Sequence, residues 1–138
     1  MRRPAAIVDT NVVVAGLITG DPKSPVARIL DGMLAAAFPF VVSEALLAEY
    51  RAVLVRPALR KQHGLRVAEI ERLLTDIAQH AIVLAPGVGS PAPDVGDQLL
   101  WDLLAARDDL LLVTGDKALQ QDAAMRVRVL SPMAFVDS

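Results

Sequence analysis

Two aspartates of this sequence each follow a short apolar run of the kind that forms a buried strand. Asp9 comes directly after residues 5–8, and Asp116 comes after residues 110–113 with Thr114 and Gly115 between. Taken singly, each aspartate is typical of a turn or of a helix N-cap. Side chains at the carboxyl ends of parallel strands, however, lie along one edge of the sheet, where α/β proteins form their sites.

Two further acidic residues lie on elements next to these strands. Glu49 is about two turns into a helical pattern that follows the apolar run at residues 40–42. Asp97 stands where another helical pattern begins, after the Pro- and Gly-rich loop at residues 86–93. Each alone is compatible with a solvated helix residue or a cap. Together with the two strand-end aspartates they make four acids that can lean over the same edge.

Four carboxylates in one place predict a metal-dependent hydrolase. Neighbouring carboxylates raise one another's pKa, and a bound divalent cation removes this repulsion. Mg²⁺ and Mn²⁺ prefer oxygen ligands, and such an ion activates water and neutralises the charge of a cleaved phosphodiester. This chemistry needs no histidine base. His63 and His80 lie in or beside helical patterns, and we expect both at the surface.

Short apolar runs alternate with helical patterns and predict the frame that holds these side chains. Strands are expected at residues 5–8, 40–42, 82–84, 110–113 and 127–130. Helices are expected from Pro25 with Ser24 as its cap, from Ser43 to before Pro57, over residues 67–77, and from Asp97. Continuously apolar strands between helices favour a parallel sheet covered on both faces. The 138 residues fit a single domain, residues 1–138.

Composition excludes several classes of protein. The chain has no cysteine, which rules out disulfides, thiolate zinc sites and a cysteine nucleophile. The longest apolar stretch, residues 32–42, contains Pro39 and is shorter than the roughly 18 residues that a membrane span needs. Residues 1–4 lead into the first strand without a secretory apolar segment. We therefore expect a cytoplasmic protein with no membrane contact.

Charge limits how the chain can hold a nucleic acid. The net charge of −2 provides no overall attraction, so any contact with RNA must use a local basic patch. Basic residues concentrate between residues 51 and 72, and the possible RNA contacts closest to Glu49 in sequence are Arg51, Arg56, Arg60 and Lys61. Because Glu69 and Glu71 are interspersed, a pair of solvated helix faces explains the same pattern equally well.

The acidic segments, taken in order, resemble those of PIN domains. Residues 7–12, Ile-Val-Asp-Thr-Asn-Val, resemble the opening motif of that family. Residues 42–57 and 97–105 are similar to its second and third acidic segments, and residues 112–119, Leu-Val-Thr-Gly-Asp-Lys-Ala-Leu, resemble its fourth. The resemblance covers nearly the whole chain, and its first and last motifs are the most specific.

The resemblance implies a three-layer α/β/α PIN-like fold with a five-stranded parallel sheet. It implies an Mg²⁺- or Mn²⁺-dependent endoribonuclease that hydrolyses RNA, and the toxin half of a toxin–antitoxin pair with a small antitoxin protein as partner. The metal-binding acids that it implies are Asp9, Glu49, Asp97 and Asp116. Asn11 and Thr114 match positions that support the site by hydrogen bonding, and Thr10 matches a structural position.

One segment departs from the pattern of the family. Related sequences often carry a denser acidic run before the third segment, where this chain has Asp94 and then Asp97. We expect Asp97 to be the ligand because it immediately precedes the amphipathic helix, and we leave Asp94 open between assisting it and capping the loop. Asp102 and Lys117 are expected to be solvated.

Two other functions are compatible with parts of the pattern. A catalytically silent PIN-like module would bind RNA or assemble with other subunits, although the four intact acids count against it. A phosphate-accepting receiver-like domain would want an aspartate at the end of its third strand, but residues 82–84 run into Ala85 and Pro86. For that reason the nuclease hypothesis is favoured over both.

The apolar content of the chain suggests self-association. Apolar residues make up 54% of the sequence, and the helices around Met33 and Trp101 are especially hydrophobic. This is more apolar surface than we expect a small monomer to hide, and exposed apolar patches usually mark interfaces. We therefore expect a homodimer, with Trp101 in the core or in an interface.

Overall fold

The chain folds around one parallel sheet, as the alternation of apolar runs predicts. The computed structural model describes residues 4–138, so the expectation about a secretory segment at residues 1–4 falls mostly outside the described residues. The strands are β1 (Ala6–Val8), β2 (Phe40–Val42), β3 (Ile82–Val83), β4 (Leu111–Val113) and β5 (Val129–Leu130). They lie in the order β3-β2-β1-β4-β5, and all neighbouring pairs are parallel. The expected five-stranded parallel sheet is confirmed.

Helices cover this sheet in a three-layer α/β/α arrangement. They are α1 (Thr10–Ile18), α2 (Pro25–Leu34), α3 (Glu44–Leu54), α4 (Pro57–His63), α5 (Val67–His80), α6 (Gln98–Leu104), α7 (Lys117–Gln120) and α8 (Pro132–Val136). The three central strands are almost entirely inaccessible to solvent, as expected for strands covered on both faces. No helix in residues 4–138 is long and apolar enough to cross a membrane.

The predicted helix starts are confirmed where a serine provides the cap. The Ser24 side chain accepts a hydrogen bond from the Ala27 N–H at 3.3 Å, and Pro25 occupies the first position of α2. The Ser43 side chain accepts one from the Leu46 N–H at 3.1 Å at the start of α3. These bonds satisfy amide groups that have no partner inside the helix, so each cap fixes where its helix begins.

Several predicted strands are longer than the observed ones. Residues 127 and 128 were expected in the fifth strand but belong to a 3₁₀ turn, Arg126–Arg128, that precedes β5. The Arg128 guanidinium donates to the carbonyls of Leu104 at 2.9 Å and Arg107 at 2.7 Å, which holds the turn against the end of α6. A long-range contact of this kind leaves no trace in local periodicity.

Four helices were missed by the sequence patterns: α1, α4, α7 and α8. The α1 sequence, TNVVVAGLI, has almost no polar face, and its β-branched run resembles a strand more than a helix. Burial of Val12 and Val13 against the core overrides that local preference. The other three helices span seven residues or fewer, too few to establish a helical period.

The two hydrophobic helices expected to need a partner bury their large side chains within the chain itself. Met33 is 0% exposed and Trp101 is 1% exposed, and both belong to the main core. The expectation that the surroundings of Met33 and Trp101 exceed what a monomer hides is therefore wrong. Exposed apolar side chains occur elsewhere, for example at Ile82 and Val83 on the edge strand β3. The homodimer itself stays a prediction.

Candidate active site

The carboxyl ends of β1 and β4 form the centre of the candidate site. From β1 the chain passes to β2 on one side of it and later returns to β4 on its other side. A crevice forms at such a reversal of strand order, and α/β proteins bind ligands there. The Asp9 N–H donates to the Val113 carbonyl at 2.9 Å, so pairing with β4 continues up to the acidic residue. Register alone thus brings Asp9 beside the segment that carries Thr114 and Asp116.

Asp9 is held by two side chains that the PIN resemblance marks as supporting residues. The Thr114 hydroxyl donates to Asp9 Oδ2 at 2.7 Å, and the Asn11 amide donates to the same oxygen at 3.3 Å. The Asn11 carbonyl in turn accepts the Gly115 N–H at 3.2 Å. Thr114 is fully buried and Asp9 is 7% exposed. The carboxylate is therefore fixed in position by neighbours from both strand ends.

Burial of Asp9 changes its acidity. Removal from water raises the pKa of its carboxyl from 3.8 to about 6, and the Thr114 hydrogen bond offsets part of that increase. The nearby charges of Asp97 and Glu49 raise the pKa further. The surroundings of Asp9 therefore disfavour its ionised form, and a nearby cation would offset this cost.

Asp116 is both a helix cap and a cavity residue. Its side chain accepts the Ala118 N–H at 2.8 Å at the start of α7, and its own N–H donates to the Thr114 hydroxyl at 3.0 Å. The N-cap interpretation is therefore correct, yet it does not exclude the functional one, because the same side chain lines the cavity described below. Lys117, the next residue, is exposed as expected.

Glu49 approaches the strand ends from α3. The Thr10 hydroxyl donates a short hydrogen bond to Glu49 Oε2, so Thr10, expected to be structural, contacts an acid of the site directly. The adjacent Tyr50 is fully buried and its hydroxyl donates to the Val8 carbonyl, which fastens α3 to the end of β1. Burial, followed by the charges of Asp9 and Glu49, raises the pKa of the Tyr50 phenol, so it remains a hydrogen-bond donor.

Asp97 approaches from the loop before α6. It ends a 3₁₀ turn, Val95–Asp97, and occupies the N-cap position of α6 without a side-chain cap bond. Burial raises the pKa of its carboxyl, and the charges of Asp116, Asp94 and Glu49 raise it further. Asp94 is exposed and accepts the Gly96 N–H at 2.8 Å. Of its two open roles, the loop cap is the one observed.

One cavity of about 760 Å³ unites the four acids. Asp9, Glu49, Asp97 and Asp116 all line it, although they come from four separate segments of the chain. Within residues 4–138, no three acidic or histidine side chains stand close enough to hold a metal ion as they are placed. The side chains that the four acids present to the cavity are all carboxylates, and oxygen donors of this kind are the ones that Mg²⁺ and Mn²⁺ prefer.

The basic residues divide into paired and unpaired groups. Arg51 forms an ion pair with Glu71, and Arg66 forms one with Glu69 at 3.1 Å. Between residues 51 and 72, the exposed basic residues without an ion pair are Arg56, Arg60, Lys61 and Arg72. The first three lie at or in α4, which contributes Leu59 and Gln62 to the cavity wall. Local periodicity does not predict these two lining residues, because α4 is too short to show a helical period.

Two residues expected at the surface have structural roles. His63 is half-buried; its Nδ1 accepts the Leu65 N–H at 2.9 Å, which leaves Nε2 to donate to the Leu54 carbonyl at 3.0 Å. It joins the end of α3 to the connection between α4 and α5. Asp102 accepts the Gly89 N–H at 2.9 Å and the Gln98 amide at 3.0 Å, so it anchors the loop before α6. His80 is exposed as predicted.

Comparison with known families supports the arrangement. A family model described as the PIN domain matches residues 5–118, which include all four acids together with Asn11 and Thr114. No curated protein sequence matches the chain.

Proposed function

This chain belongs to the PIN-domain family, and from this premise we propose that it is an Mg²⁺- or Mn²⁺-dependent endoribonuclease. PIN domains are generally nucleases and typically use divalent metal ions. One observation carries the proposal: Asp9, Glu49, Asp97 and Asp116, from four segments of the chain, line a single cavity at the reversal of strand order. Residues that served only as turns or caps would have no reason to converge there.

The residues have distinct parts in the proposed reaction, the addition of water across a P–O bond of RNA. Asp9 and Asp116 would hold the cation from the sheet edge, and Glu49 and Asp97 would close on it from the helices. When bound, the ion polarises the scissile phosphate and acidifies the attacking water. Thr114 and Asn11 keep Asp9 oriented throughout, so little reorganisation is needed as charge develops.

The proposal is tested by cleavage of single-stranded RNA by the purified protein. We expect cleavage in Mn²⁺ or Mg²⁺, none in EDTA, and none with Asp9→Asn prepared in the same way, because this substitution removes a ligand charge at little change in volume. Full activity of Asp9→Asn, free of wild-type protein, would rule out the assignment of the site. Absence of cleavage by the wild type with any divalent cation would favour the alternative, a catalytically silent RNA-binding module. One observation favours this alternative: among the described residues, the acids stand too far apart, as they are placed, to hold a metal ion.

We extend the proposal to a toxin–antitoxin pair in the cytoplasm, with residues 1–138 acting as one domain. An unrestrained ribonuclease harms its own cell, so a small antitoxin protein that covers the acidic cavity is the expected partner. The cavity is open, so a segment of this partner can reach the residues of α1, α3 and α4 that line it. Purification under native expression should recover a small protein that inhibits cleavage. Recovery of the nuclease alone and active would contradict this part.

The proposed homodimer rests on exposed apolar side chains at the edge of the sheet. Val83 of β3 is 57% exposed and Ile82 is 38% exposed, and a short edge strand with apolar side chains is suited to association. Light scattering at tens of micromolar should give twice the mass of the chain. Val83→Lys should shift the protein toward the monomer, whereas Val127→Lys, on a 3₁₀ turn next to the opposite edge, should not. A monomeric wild type would contradict the dimer.

A further inference from the structure

The acid-lined cavity continues past the carboxylates into an apolar region, here called the apolar hollow. Its walls come from four helices that meet beside the site. The apolar hollow is formed by Val14 and Ile18 of α1, Val26 of α2, Val53 of α3 and Leu59 of α4. Glu49, one turn before Val53 on α3, connects it directly with the acidic side of the same cavity. Whatever occupies the acidic side therefore has the apolar hollow within reach.

Val14 and Val26 pack against the protein core, but core packing does not account for the other three side chains of the apolar hollow. Ile18, Val53 and Leu59 are half-buried, but they belong neither to the buried core nor to the partly buried apolar side chains packed against it. They face the cavity from three different helices. Apolar side chains that converge on an open cavity without joining the core are typical of a surface that binds a ligand.

We infer that the apolar hollow receives an unpaired nucleobase of the RNA strand, next to the phosphate held by the acids. This inference rests on the proposed function. A nucleotide that flanks the scissile phosphate is covalently attached to it, so its base must lie against the wall that adjoins the carboxylates. Among the residues that the structure describes, no aromatic side chain lines this cavity, so the flat base is held between aliphatic side chains of α1 and α4 and not by ring stacking.

Gln62 is the residue that can read the edge of such a base. It is the one neutral polar side chain lining the cavity that makes no hydrogen bond within residues 4–138. Thr10 bonds to Glu49, Asn11 bonds to Asp9, and Thr19 accepts the Asp21 N–H. The carboxamide of Gln62 offers a donor and an acceptor together, the combination that pairs with a base edge. It is therefore assigned as a specificity-determining residue.

A base pocket restricts the class of substrate. Bases of an RNA duplex are paired and stacked, and one can enter a side pocket only after it is flipped out at a cost of a few kcal/mol. The protein should accordingly act on single strands, loops and unpaired ends. It should also cut more readily beside the bases that Gln62 accepts.

Methyl NMR spectroscopy tests the occupancy of the apolar hollow without relying on cleavage. The probe is a short single-stranded RNA in Ca²⁺, which replaces the catalytic ion without supporting turnover. We expect the methyl signals of Ile18, Val53 and Leu59 to shift, while those of Leu73 on α5 do not. An abasic site moved along the strand should abolish the shifts at one position, and a blunt duplex should not produce them.

Two substitutions test Leu59 as part of the apolar hollow and Gln62 as the residue that contacts the base edge. Leu59→Ala should weaken single-strand binding about fivefold to tenfold, because it removes apolar area from the base site. Gln62→Leu should change the nucleotide preference beside the cut by roughly tenfold, the effect of losing one base-edge pair. The matched controls, Leu73→Ala and Gln79→Leu on α5, should change neither property. A cleavage pattern of Gln62→Leu identical to that of the wild type would overturn the assignment of Gln62.

The outcomes separate this inference from the proposed function. If the wild type cuts no RNA in Mn²⁺ but its apolar-hollow methyl signals shift with single strands, the nuclease proposal fails and the base pocket stands. If the protein cuts paired and unpaired RNA equally, with these methyl signals unmoved, the nuclease proposal stands and the base pocket is overturned. In that case a protein segment is the remaining candidate occupant of the apolar hollow.

Discussion

The candidate site has two sides that differ in how firmly their acids are held. On the sheet side, Asp9 is 7% exposed and accepts hydrogen bonds from Thr114 and Asn11. On the helix side, Glu49 accepts one hydrogen bond from Thr10, and the Asp97 carboxylate accepts none among the described residues. Hydrogen bonds hold the carboxylates of Asp9 and Asp116 at the strand ends, whereas the carboxylates of Glu49 and Asp97 accept fewer. The sheet side is thus the more firmly held half of the candidate site, and the helix side is the less restrained half.

The largest expected effect is on catalysis, and it tests whether both sides are required. Asp9→Asn, Asp116→Asn and Asp97→Asn should each reduce RNA cleavage roughly a thousandfold, because each removes a charge that contributes several kcal/mol through the bound ion. Asp94→Asn is the matched control three residues before Asp97, and its loss should be much smaller. Rates are compared at saturating Mn²⁺. Equal losses of cleavage rate for Asp94→Asn and Asp97→Asn would contradict the view that Asp94 is only a loop cap and Asp97 is the metal ligand.

The next effect is the pH dependence of stability without metal. In the unfolded chain Asp9 ionises at its ordinary pKa of 3.8, and in the folded protein at about 6. The folded state therefore binds more protons between these values, and stability falls as pH rises through this window. The fall amounts to about 3 kcal/mol and is complete just above pH 6. The raised pKa of Asp97 acts in the same direction.

Urea denaturation in EDTA at pH 4 and pH 7 measures this difference. Asp9→Asn should be more stable than the wild type at pH 7, with an advantage that shrinks at pH 4, since the variant has no carboxyl to ionise. The comparison between the two proteins isolates Asp9 from the other titrating groups. A wild type that gains on the variant as pH rises would show that the buried carboxylate is stabilised by its neighbours.

A smaller effect is expected from the residue that supports the sheet side. Thr114→Val keeps the shape of the side chain but removes the hydroxyl that joins Asp9, Asn11 and the Asp116 N–H. The lost partners should lower the free energy of unfolding by about 1–3 kcal/mol. Cleavage should fall roughly 10- to 100-fold, as for residues that orient metal ligands. Thr10→Val, its counterpart on the helix side, should cost less stability. A larger loss of stability for Thr10→Val than for Thr114→Val would contradict the finding that the sheet side is held more firmly than the helix side.

The smallest expected effect is on the affinity for RNA, through the basic residues at and in α4. Arg56 and Arg60 lie within about 100° of Leu59 around the helix axis, whereas Lys61 is about 160° from it, near the opposite face. Reversing Arg56 and Arg60 to Glu should weaken binding to all sequences and flatten its salt dependence by roughly 1.4 log units per log unit of salt. Reversing Lys61 and Arg72 changes the net charge equally and serves as control. Affinity is measured against salt in Ca²⁺; equal slopes for the two variants would mean that α4 does not bind the strand.

Local pattern predicted the parts of the site that depend on strand ends and caps. Asp9 and Asp116 follow continuously apolar strands, so parallel pairing was enough to bring them to one edge. The caps at Ser24 and Ser43 were predictable because a cap is satisfied by amide groups within a few residues. By contrast, α1 and α4 have no periodic apolar face, so their sequences do not predict the cavity walls that they supply.

The sequence by itself determined the succession of the five strands and of four of the eight helices, the acids at the strand ends and the serine caps, since all of these follow from interactions between residues close in the chain. Only the tertiary structure decided that Thr10 bonds to Glu49 and that Leu59 and Gln62 line the same cavity as the acids. These outcomes depend on the packing of helices that are far apart in sequence. Burial, which raises the pKa of Asp9, is likewise a property of the whole fold, because many distant side chains together exclude water from one carboxyl.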